Sequence, residues 1–429
     1  MDLNRKLAYE ILLQVERQQA YANITINKAI TSIPETEKAK LNLGFIRQLV
    51  YGTLENQILI DYIIDNLSSK GLKSIKKKTL VMLRLAVYQL MNLELAEYGV
   101  VNEMVNLSKK VLKGQSGFVN GILRQFIRNG KDIKIETGDL IQDLSIRYSV
   151  NSTIVALLLK QFGEQGCIEL FQWWNQVPPL TIRPNLRKIT GQQLTNLLID
   201  EGFEVEATAE GMIQVNKGQI INSKAYKQGL FSVQDIPSKI IANKVIEGLD
   251  LGSIKVLDVC AAPGGKTFAI AECLYGTSSV TGCDLYEHRV KLMEAGRQRL
   301  DLDNVNLMVR DGCDLWMEAE GGFDAVLVDG PCSGLGVVRR KPEIKLRPLE
   351  DQGRSLANIS LELLNVSQRL VKSKGRLVYS TCTINRIENQ DVKQEFLRRN
   401  KSFKLVEERQ ILPMSDGLDG FYYAVFIKE

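Results

Sequence analysis

The chain has 429 residues, of which 45% are hydrophobic, and its formal net charge at pH 7 is +5. This length predicts two or three domains, and the apolar fraction is ordinary for a globular protein in water. The first residues carry a charge every few positions, without an apolar run of signal-peptide length. No window approaches the roughly 18 apolar residues that span a bilayer. We therefore expect a cytosolic protein without a membrane partner.

Seven cysteines and a single histidine, His288, restrict the possible chemistry. Cysteines of a cytosolic chain are rarely joined in structural disulfides. The sequence has no Cys-x-x-Cys pair, so a zinc cluster of the usual spacing is excluded and we expect no metal. His288 has no nucleophile elbow near it, which excludes a Ser-His-Asp hydrolase. Acid–base chemistry must therefore fall to Asp, Glu, Lys or Cys.

Residues 1 to about 140 are predicted to form an all-helical domain, because apolar residues such as Ala8, Ile11, Leu12 and Val15 recur at helical spacing. Lysines are dense between positions 70 and 78, and further basic residues flank a Gly-Gln-Ser-Gly turn at 114–117. Each charge run alone is typical of a solvated helix face. The set taken together favours a nucleic-acid partner.

Residues 145–240 mix short helices and strands and are predicted to form a small α+β domain. From 245 to 429, strands and helix-length segments alternate, which predicts an α/β domain with a mostly parallel, doubly wound sheet of the Rossmann-like kind. Its predicted strands lie at 254–259, 280–283, 305–309, 325–328 and 376–380, followed by a closing pair at 403–406 and 421–427.

Acidic residues follow the predicted strands of this last domain. Asp258 ends the first strand and leads into a glycine-containing loop, and Asp284, Asp311 and Asp329 follow the next three. Each Asp alone could be a helix N-cap. Together they would face one crevice at the carboxyl ends of the strands. Such a rim repels a pyrophosphate but suits an adenosine that carries a sulfonium cation, which indicates S-adenosylmethionine.

Two cysteines are set apart from the others by position. Cys332 lies just past the fourth strand and Cys382 just past the fifth, so both thiols can reach the mouth of the same crevice. The remaining cysteines fall within or beside apolar elements or outside this domain, and are better explained as small buried hydrophobes.

The order and spacing of four motifs resemble those of the RNA cytosine-C5 methyltransferases. They are Cys260–Thr267, Asp329–Gly334, Arg339–Lys345 and Ser380–Cys382. Phe118–Arg124, with the helices before it, is similar to the NusB-type RNA-binding domain. The fusion resembles the Sun/RsmB branch, whose members are bacterial enzymes that modify 16S ribosomal RNA. Departures from the common pattern are Thr383 for serine, Gly330 for alanine and Lys341 for histidine.

The resemblance implies roles for particular residues. Cys382 would be the nucleophile that adds to carbon 6 of cytosine, with Asp329 and Cys332 assisting. S-adenosylmethionine would be held by residues of the first loop and by three strand-end carboxylates: Ala261, Ala262, Pro263, Gly264, Gly265, Lys266, Thr267, Asp284, Asp311 and Asp329. Crowding by other carboxylates and a thiolate would favour a protonated Asp329 that bonds to N3 of the ring.

We expect 16S ribosomal RNA as the partner, either naked or in a small-subunit assembly intermediate, and a monomeric protein. RNA would be gripped by the basic loop 339–345, by Arg183 and by the helical domain. Trp173 and Trp174 could stack on bases but at helical positions are better explained as core. The alternatives are a cytosine methylase for tRNA or 23S RNA and a non-catalytic NusB-like RNA-binding scaffold.

Overall fold

The structure is a computed structural model, which describes residues 2–18, 20–129, 133–314, 319–349 and 351–429. The chain divides into two compact units. One comprises Met1–Gln176 and Val338–Leu349, and the other comprises Val177–Val337 and Glu350–Glu429. Within the part of the chain that the structure describes, no helix has both the length and the apolar character needed to cross a membrane. The division into three domains, which would cover residues 1–140, 145–240 and 245–429, stays a prediction.

The first unit is helical, as its apolar spacing predicts. Its helices are α1 (Leu3–Gln18), α2 (Ala22–Thr31), α3 (Glu35–Lys38), α4 (Leu43–Glu55), α5 (Gln57–Leu67), α6 (Lys77–Asn92), α7 (Glu97–Val111), α8 (Ser116–Asn129), α9 (Leu140–Tyr148) and α10 (Ser152–Trp174), with 3₁₀ turns at Leu72–Ser74, Val338–Arg340 and Pro342–Leu346. Helix α6 is the centre of this unit, since its residues from Thr79 to Leu90 are all buried and it contacts α1, α4, α5, α7 and α8.

The segment Val338–Leu349 belongs to the first unit and corrects one expectation about RNA contacts. Lys345, 1% exposed, donates from Nζ to the Tyr148 carbonyl at 2.9 Å and to Asn175 Oδ1 at 2.8 Å. Burial lowers the pKa of Lys345 to about 8. The guanidinium of Arg339, also buried, lies 4.2 Å from the ring centre of Trp173. The prediction that this loop grips RNA is therefore wrong for Arg339 and Lys345, whose charges point into the protein.

The second unit contains two sheets. Its strands are β1 (Leu180–Pro184), β2 (Glu204–Ala207), β3 (Ile213–Lys217), β4 (Phe231–Val233), β5 (Lys255–Asp258), β6 (Ser279–Asp284), β7 (Val305–Val309), β8 (Phe323–Asp329), β9 (Val371–Thr381), β10 (Phe403–Ile411) and β11 (Phe421–Lys428). Its helices are α11 (Gly191–Asp200), α12 (Lys224–Lys227), α13 (Ile236–Ile246), α14 (Gly265–Ala271), α15 (Glu287–Leu300), α16 (Gln352–Ser367), α17 (Gln390–Arg399) and α18 (Pro413–Asp416), with 3₁₀ turns at Ile220–Asn222 and Arg386–Glu388.

The smaller sheet has the strand order β2-β3-β1-β4, and its pairs are antiparallel. The larger sheet has the order β10-β11-β9-β8-β5-β6-β7. Strands β9 to β7 in this order run parallel, whereas β11 and β10 close the sheet in antiparallel fashion. This confirms the predicted fold class. The chain reverses its winding at β5, which is where such sheets open a ligand crevice beyond the carboxyl ends of their strands.

Candidate active site

The strand-end carboxylates gather at one edge of the large sheet. Asp258, Asp284 and Asp329 are the last residues of β5, β6 and β8, and Asp311 follows β7 by two positions. These four strands are neighbours that run parallel. The predicted clustering of the four aspartates at the crevice edge is therefore confirmed.

The loop between β5 and α14 is shaped by its glycines. Gly264 has φ = 100°, and a Cβ placed there would lie 2.5 Å from the Phe268 ring. Glycine alone meets both demands without strain. The Ala261 amide donates to the Cys283 carbonyl at 2.7 Å, which ties the loop to the end of β6. The predicted cofactor loop thus lies directly against the strand that carries Asp284.

Asp258 is the most deeply buried of the four carboxylates, with 1% of its surface exposed. Its Oδ2 accepts a hydrogen bond from the Thr267 hydroxyl at 2.7 Å. Burial raises the pKa of Asp258 to about 7, although the Thr267 bond opposes the shift. Through Thr267, Asp258 is therefore tied to the start of α14.

Asp284 and Asp311 each accept one backbone hydrogen bond from their own turn. Asp284 Oδ1 accepts from the Tyr286 amide at 3.0 Å, and Asp311 Oδ1 accepts from the Cys313 amide at 2.9 Å. These are local bonds to the residue two positions further on, and the N-cap of α15 is Tyr286, so the N-cap alternative does not hold for Asp284. A carboxylate has about four acceptor positions, so each side chain retains capacity for the hydroxyl groups of a ribose.

Lys266 and Asp329 form an ion pair in the crevice. Lys266 Nζ lies 2.6 Å from Asp329 Oδ2, and the Ser380 hydroxyl donates to Asp329 Oδ1 at 2.6 Å. Burial lowers the pKa of Lys266, but the charge and hydrogen bond of Asp329 outweigh it, so the pKa lies above its usual value. Both Asp329 oxygens therefore accept hydrogen bonds from donors. The protonated form of Asp329 stays a prediction, and Lys266 supplies a positive charge that the crowding argument did not include.

The two predicted cysteines meet. Their Sγ atoms are 3.3 Å apart, so one thiol can donate to the other sulfur. The pKa of Cys332 lies well above its usual value, first because of its hydrogen bond to Cys382 and then because of burial and the charges of Cys382 and Glu388. The predicted convergence of the sulfurs is confirmed.

Burial makes four other cysteines poor nucleophiles. Burial raises the pKa of Cys167 and Cys313 to about 11 and that of Cys283 to about 12, and it raises the pKa of Cys260 further. A thiol with so high a pKa carries almost no thiolate near neutral pH. The interpretation as small buried hydrophobes holds for Cys167 and Cys283, whereas Cys260 and Cys313 are only half-buried.

A polar cluster that the sequence did not single out supports the Cys332 loop. Glu388, fully buried, accepts from the Ser333 amide at 2.6 Å, from the Ser333 hydroxyl at 2.7 Å and from Asn385 Nδ2 at 2.7 Å. The Ser333 and Thr383 hydroxyls also lie 2.8 Å apart. Glu388 therefore joins the segment after Cys332 to the segment after Cys382. Thr383, a departure from the common serine, keeps the hydroxyl that this cluster uses.

Backbone contacts fix the same two segments. The Gly336 amide donates to the Cys382 carbonyl at 3.0 Å, and the Gly420 amide donates to the Gly336 carbonyl at 2.8 Å. A Cβ at Gly336 would lie 1.7 Å from the Gly420 carbonyl oxygen. The backbone segments around Gly336 and Gly420 approach so closely that no side chain fits between them. These backbone contacts fix the segments that carry the two sulfurs.

Arg183 does not belong to an RNA surface. It is 2% exposed, and its guanidinium forms a two-pronged ion pair with Glu272, with both N–O distances 2.8 Å. The prediction that Arg183 contacts RNA is wrong because its charge is already neutralised inside the protein. Trp174 is buried as well, as its helical position predicted. Among the residues that the structure describes, no cluster of His, Cys, Asp and Glu could hold a metal ion.

The acidic rim fits a cofactor with ribose hydroxyls and a positive charge. Asp284 and Asp311 have spare acceptor positions, and Asp329 forms an ion pair with Lys266. Carboxylates at these strand ends would repel the phosphates of a dinucleotide. Together with the parallel sheet, this arrangement defines an S-adenosylmethionine-dependent methyltransferase.

Comparison with known proteins gives the family. Residues 252–427 match the model of the 16S rRNA methyltransferase RsmB/F family, residues 2–128 match the NusB family, and residues 152–221 match the ferredoxin-like domain of RsmF/B-like methyltransferases. A probable ribosomal RNA small subunit methyltransferase B of Bacillus subtilis is 35% identical over 97% of this chain and 97% of its own length. The ribosomal RNA small subunit methyltransferase B of Proteus mirabilis is 30% identical over 99% and 98%, respectively. The chain belongs to the ribosomal RNA small subunit methyltransferase B family.

Solved structures agree on the fold. The crystal structure of PH0851 covers 100% of this chain and 99% of its own, with a TM-score of 0.83 and 21% identity. The structure of NSun6 from Pyrococcus horikoshii with SFG covers 63% of this chain and 96% of its own, with a TM-score of 0.55 and 21% identity. At this level of identity the likeness shows the architecture alone.

The raised pKa of Asp258 predicts a pH-dependent loss of stability. The folded protein keeps a proton that the unfolded chain releases near the ordinary aspartate pKa of 3.8. The free energy of unfolding therefore falls as the pH rises from about 4 to about 7, by at most about 4 kcal/mol. Asp258→Asn, which stays neutral, should gain in Tm relative to the wild type between pH 5 and pH 8, as measured by circular dichroism.

Asp324→Asn is the matched control. Hydrogen bonds from the Lys255 amide and Lys372 outweigh burial and lower the pKa of Asp324. Its titration therefore ends below pH 5, and its Tm difference from the wild type should be equal at pH 5 and pH 8. If the Asp258→Asn difference were equally constant, Asp258 would be ionised in the folded protein at both values.

Proposed function

We propose that this protein transfers a methyl group to carbon 5 of a cytosine in 16S ribosomal RNA, in the cytoplasm, through a covalent bond between Cys382 and carbon 6 of the ring. The observation that carries the proposal is the 3.3 Å approach of two thiols at the crevice edge, next to the Lys266–Asp329 pair. The names of relatives that match along almost the whole chain support the RNA substrate.

The surroundings of the two sulfurs support Cys382 as the nucleophile. The charge of Glu388 is among the causes that raise the pKa of Cys332, which favours a neutral thiol there. The charge of Cys382 is among the causes that raise the pKa of Lys266, so these two groups interact as an anion and a cation. A thiolate at Cys382 therefore receives a hydrogen bond from Cys332 and faces an ammonium group. Both interactions favour the reactive anionic form.

Attack by Cys382 makes a poor carbon nucleophile reactive. Addition of the thiolate at carbon 6 places negative charge on the ring, and the resulting enamine carries nucleophilic character at carbon 5. The Lys266 ammonium, which Asp329 orients, can donate to N3 and offset this charge. Lys266 thus takes the part that the sequence had given to a protonated Asp329. When bound at the acidic rim, S-adenosylmethionine supplies the electrophilic methyl group that carbon 5 accepts.

Release of the product requires a base and a leaving sulfur. Once Cys382 is bonded to carbon, its hydrogen bond and charge no longer raise the pKa of Cys332, and only burial and Glu388 remain. Cys332 can then lose its proton to solvent and accept the proton of carbon 5. The C–S bond breaks, the double bond of the ring is restored, and Cys382 leaves as a thiolate that Cys332 again stabilises. The balance is one methyl cation gained and one proton released.

The helical unit supplies a surface for the RNA backbone. Lys76, Lys77 and Lys78 are all exposed at the start of α6. Phosphate contacts from such lysines hold RNA without reading its sequence. The target cytosine must leave its stack to reach the thiols, as in other enzymes that act on a base.

Mapping of modified cytosines tests the function. In a strain that lacks the protein, bisulfite sequencing of ribosomal RNA should show one 16S cytosine that becomes convertible, and the wild-type gene should restore its protection. Loss of protection in 23S RNA or tRNA instead would assign the enzyme to another RNA. An unchanged pattern in all three would favour the non-catalytic scaffold.

Substitution of the two cysteines tests their roles. Cys382→Ala should abolish methyl transfer and form no adduct, because the attacking sulfur is lost. Cys332→Ala should trap protein on RNA as a species that survives denaturing electrophoresis, because attack proceeds while release fails. Cys273→Ala, which changes a half-buried cysteine just after the end of α14, should behave as the wild type. A trapped Cys382→Ala protein would reverse the two assignments.

Substitution of the exposed lysines tests the RNA surface. Lys76, Lys77 and Lys78 changed together to Ala should weaken RNA binding and reduce the slope of log affinity against log salt by about 2, at roughly 0.7 per lost single-strand phosphate contact. Filter binding at several salt concentrations measures both. The control changes Lys374, Lys401 and Lys404, which are also exposed, and removes equal charge from the second unit. Equal effects of the two triple variants would mean that net charge, and not this site, holds the RNA.

A further inference from the structure

Arg183 contacts both ends of the helix that begins in the cofactor loop. It lies on β1 of the small sheet, and its NH1 donates to the Gly265 carbonyl at 3.1 Å and to Gln234 Oε1. Its Nε and NH2 pair with the two carboxylate oxygens of Glu272. Gly265 is the first residue of α14 and Glu272 is its C-cap. One side chain therefore spans the helix from its start to its end.

Helix α14 depends on such outside contacts for its position. It has seven residues, and Gly264 at its N-cap provides no side-chain hydrogen bond. A helix this short is not stable by itself, so neighbours must fix its place. Its first three residues, Gly265, Lys266 and Thr267, are all predicted cofactor-loop residues, and Lys266 also carries the ion pair to Asp329. A shift of α14 would therefore move the loop and the ammonium group together.

We propose that Arg183 is a positioning residue for the cofactor site, so that the small sheet forms a working part of that site. The inference rests on the proposed placement of S-adenosylmethionine at loop 261–267. Arg183 does not touch the cofactor; it acts through the backbone of Gly265 and through Glu272, which together set where the loop lies.

Stability alone does not account for this buried ion pair. The side chains of Arg183 and Glu272 are 2% and 3% exposed, and a pair so deeply buried loses about as much in hydration as it gains in attraction. A well-packed apolar pair could fill the same space. What an apolar pair could not do is donate to the Gly265 carbonyl and to Gln234 in a fixed direction. The geometric constraint is what the arginine adds.

A second contact from the same strand end supports the positioning role. The Nδ2 of the buried Asn185 donates to the Leu300 carbonyl at 3.0 Å and to the Gly229 carbonyl at 3.1 Å. Leu300 is the last residue of α15, the helix that follows Asp284. Residues 183 and 185 thus hold the two helices that flank the crevice at β5 and β6.

The test separates positioning from folding with a paired variant. Arg183→Met alone leaves Glu272 charged and unpaired, and should lower Tm. Arg183→Met with Glu272→Met removes the unpaired charge and should recover Tm, yet it still lacks the donor to Gly265. We expect the Kd of S-adenosylhomocysteine, measured by calorimetry, to rise about tenfold in the double variant, which corresponds to one lost buried hydrogen bond. RNA affinity should stay within about twofold of the wild type.

Two further variants keep the experiment decisive. Arg183→Lys retains the charge for Glu272 but cannot reach Gly265 as well, so it should fold and still bind S-adenosylhomocysteine more weakly. Arg187→Met removes the exposed pair between Arg187 and Asp303, whose N–O distance is 3.0 Å, and should change neither Kd. In steady-state assays the KM for S-adenosylmethionine should rise while kcat at saturation changes less.

The outcomes are distinguishable. If the double variant and Arg183→Lys bind S-adenosylhomocysteine as tightly as the wild type, Arg183 has a purely structural role and the inference is overturned. If RNA affinity falls while S-adenosylhomocysteine binding is unchanged, Arg183 is an RNA contact and the inference is equally overturned. If Asp284→Ala and Asp311→Ala leave the affinity of the otherwise intact protein unchanged, the cofactor lies elsewhere and the placement itself has failed.

Discussion

The parallel pairing of β8 with β9 is the constraint on which the site depends. Its register sets Asp329 opposite Ser380, so the residues just beyond each strand end emerge side by side. Cys332 follows Asp329 by three positions and Cys382 follows Ser380 by two, and their sulfurs meet at 3.3 Å. A slip of one residue would turn each side chain to the other face of the sheet and separate the sulfurs. The proximity of the two thiols is therefore a product of strand register.

Under the proposed mechanism, the charges on either side of this pair give each thiol one role. A buried carboxylate, Glu388, lies on the side of Cys332, and an ammonium group, Lys266, interacts with Cys382. Two equal thiols at this distance would share their protons evenly. The surrounding charges remove the symmetry, because the negative side favours the neutral thiol and the positive side favours the thiolate. The frame of Gly336 and Gly420 keeps both sulfurs within these fields.

The sequence predicted those features that depend on local pattern. Apolar runs located the parallel strands, β7 even to its end residues Val305 and Val309, and strand ends located the carboxylates and thiols. It did not predict contacts between residues that are distant in the chain. Lys266 neutralises Asp329 from 63 positions away, and Glu272 neutralises Arg183 from 89 positions away. Arg183, whose partner the sequence does not show, was therefore wrongly predicted to contact RNA.

Two ion pairs of the second unit, Lys266–Asp329 and Arg183–Glu272, differ in how deeply they are buried. Lys266 and Asp329 keep 11% and 28% of their side-chain surface exposed, so an incoming base can compete for the same donors and acceptors. Arg183 and Glu272 retain almost none, and no ligand can reach them. A substrate can therefore reach the first pair, whereas the second is closed to it. A site that moves protons needs both kinds, because the reactive pair is useful only if the backbone that carries it does not move.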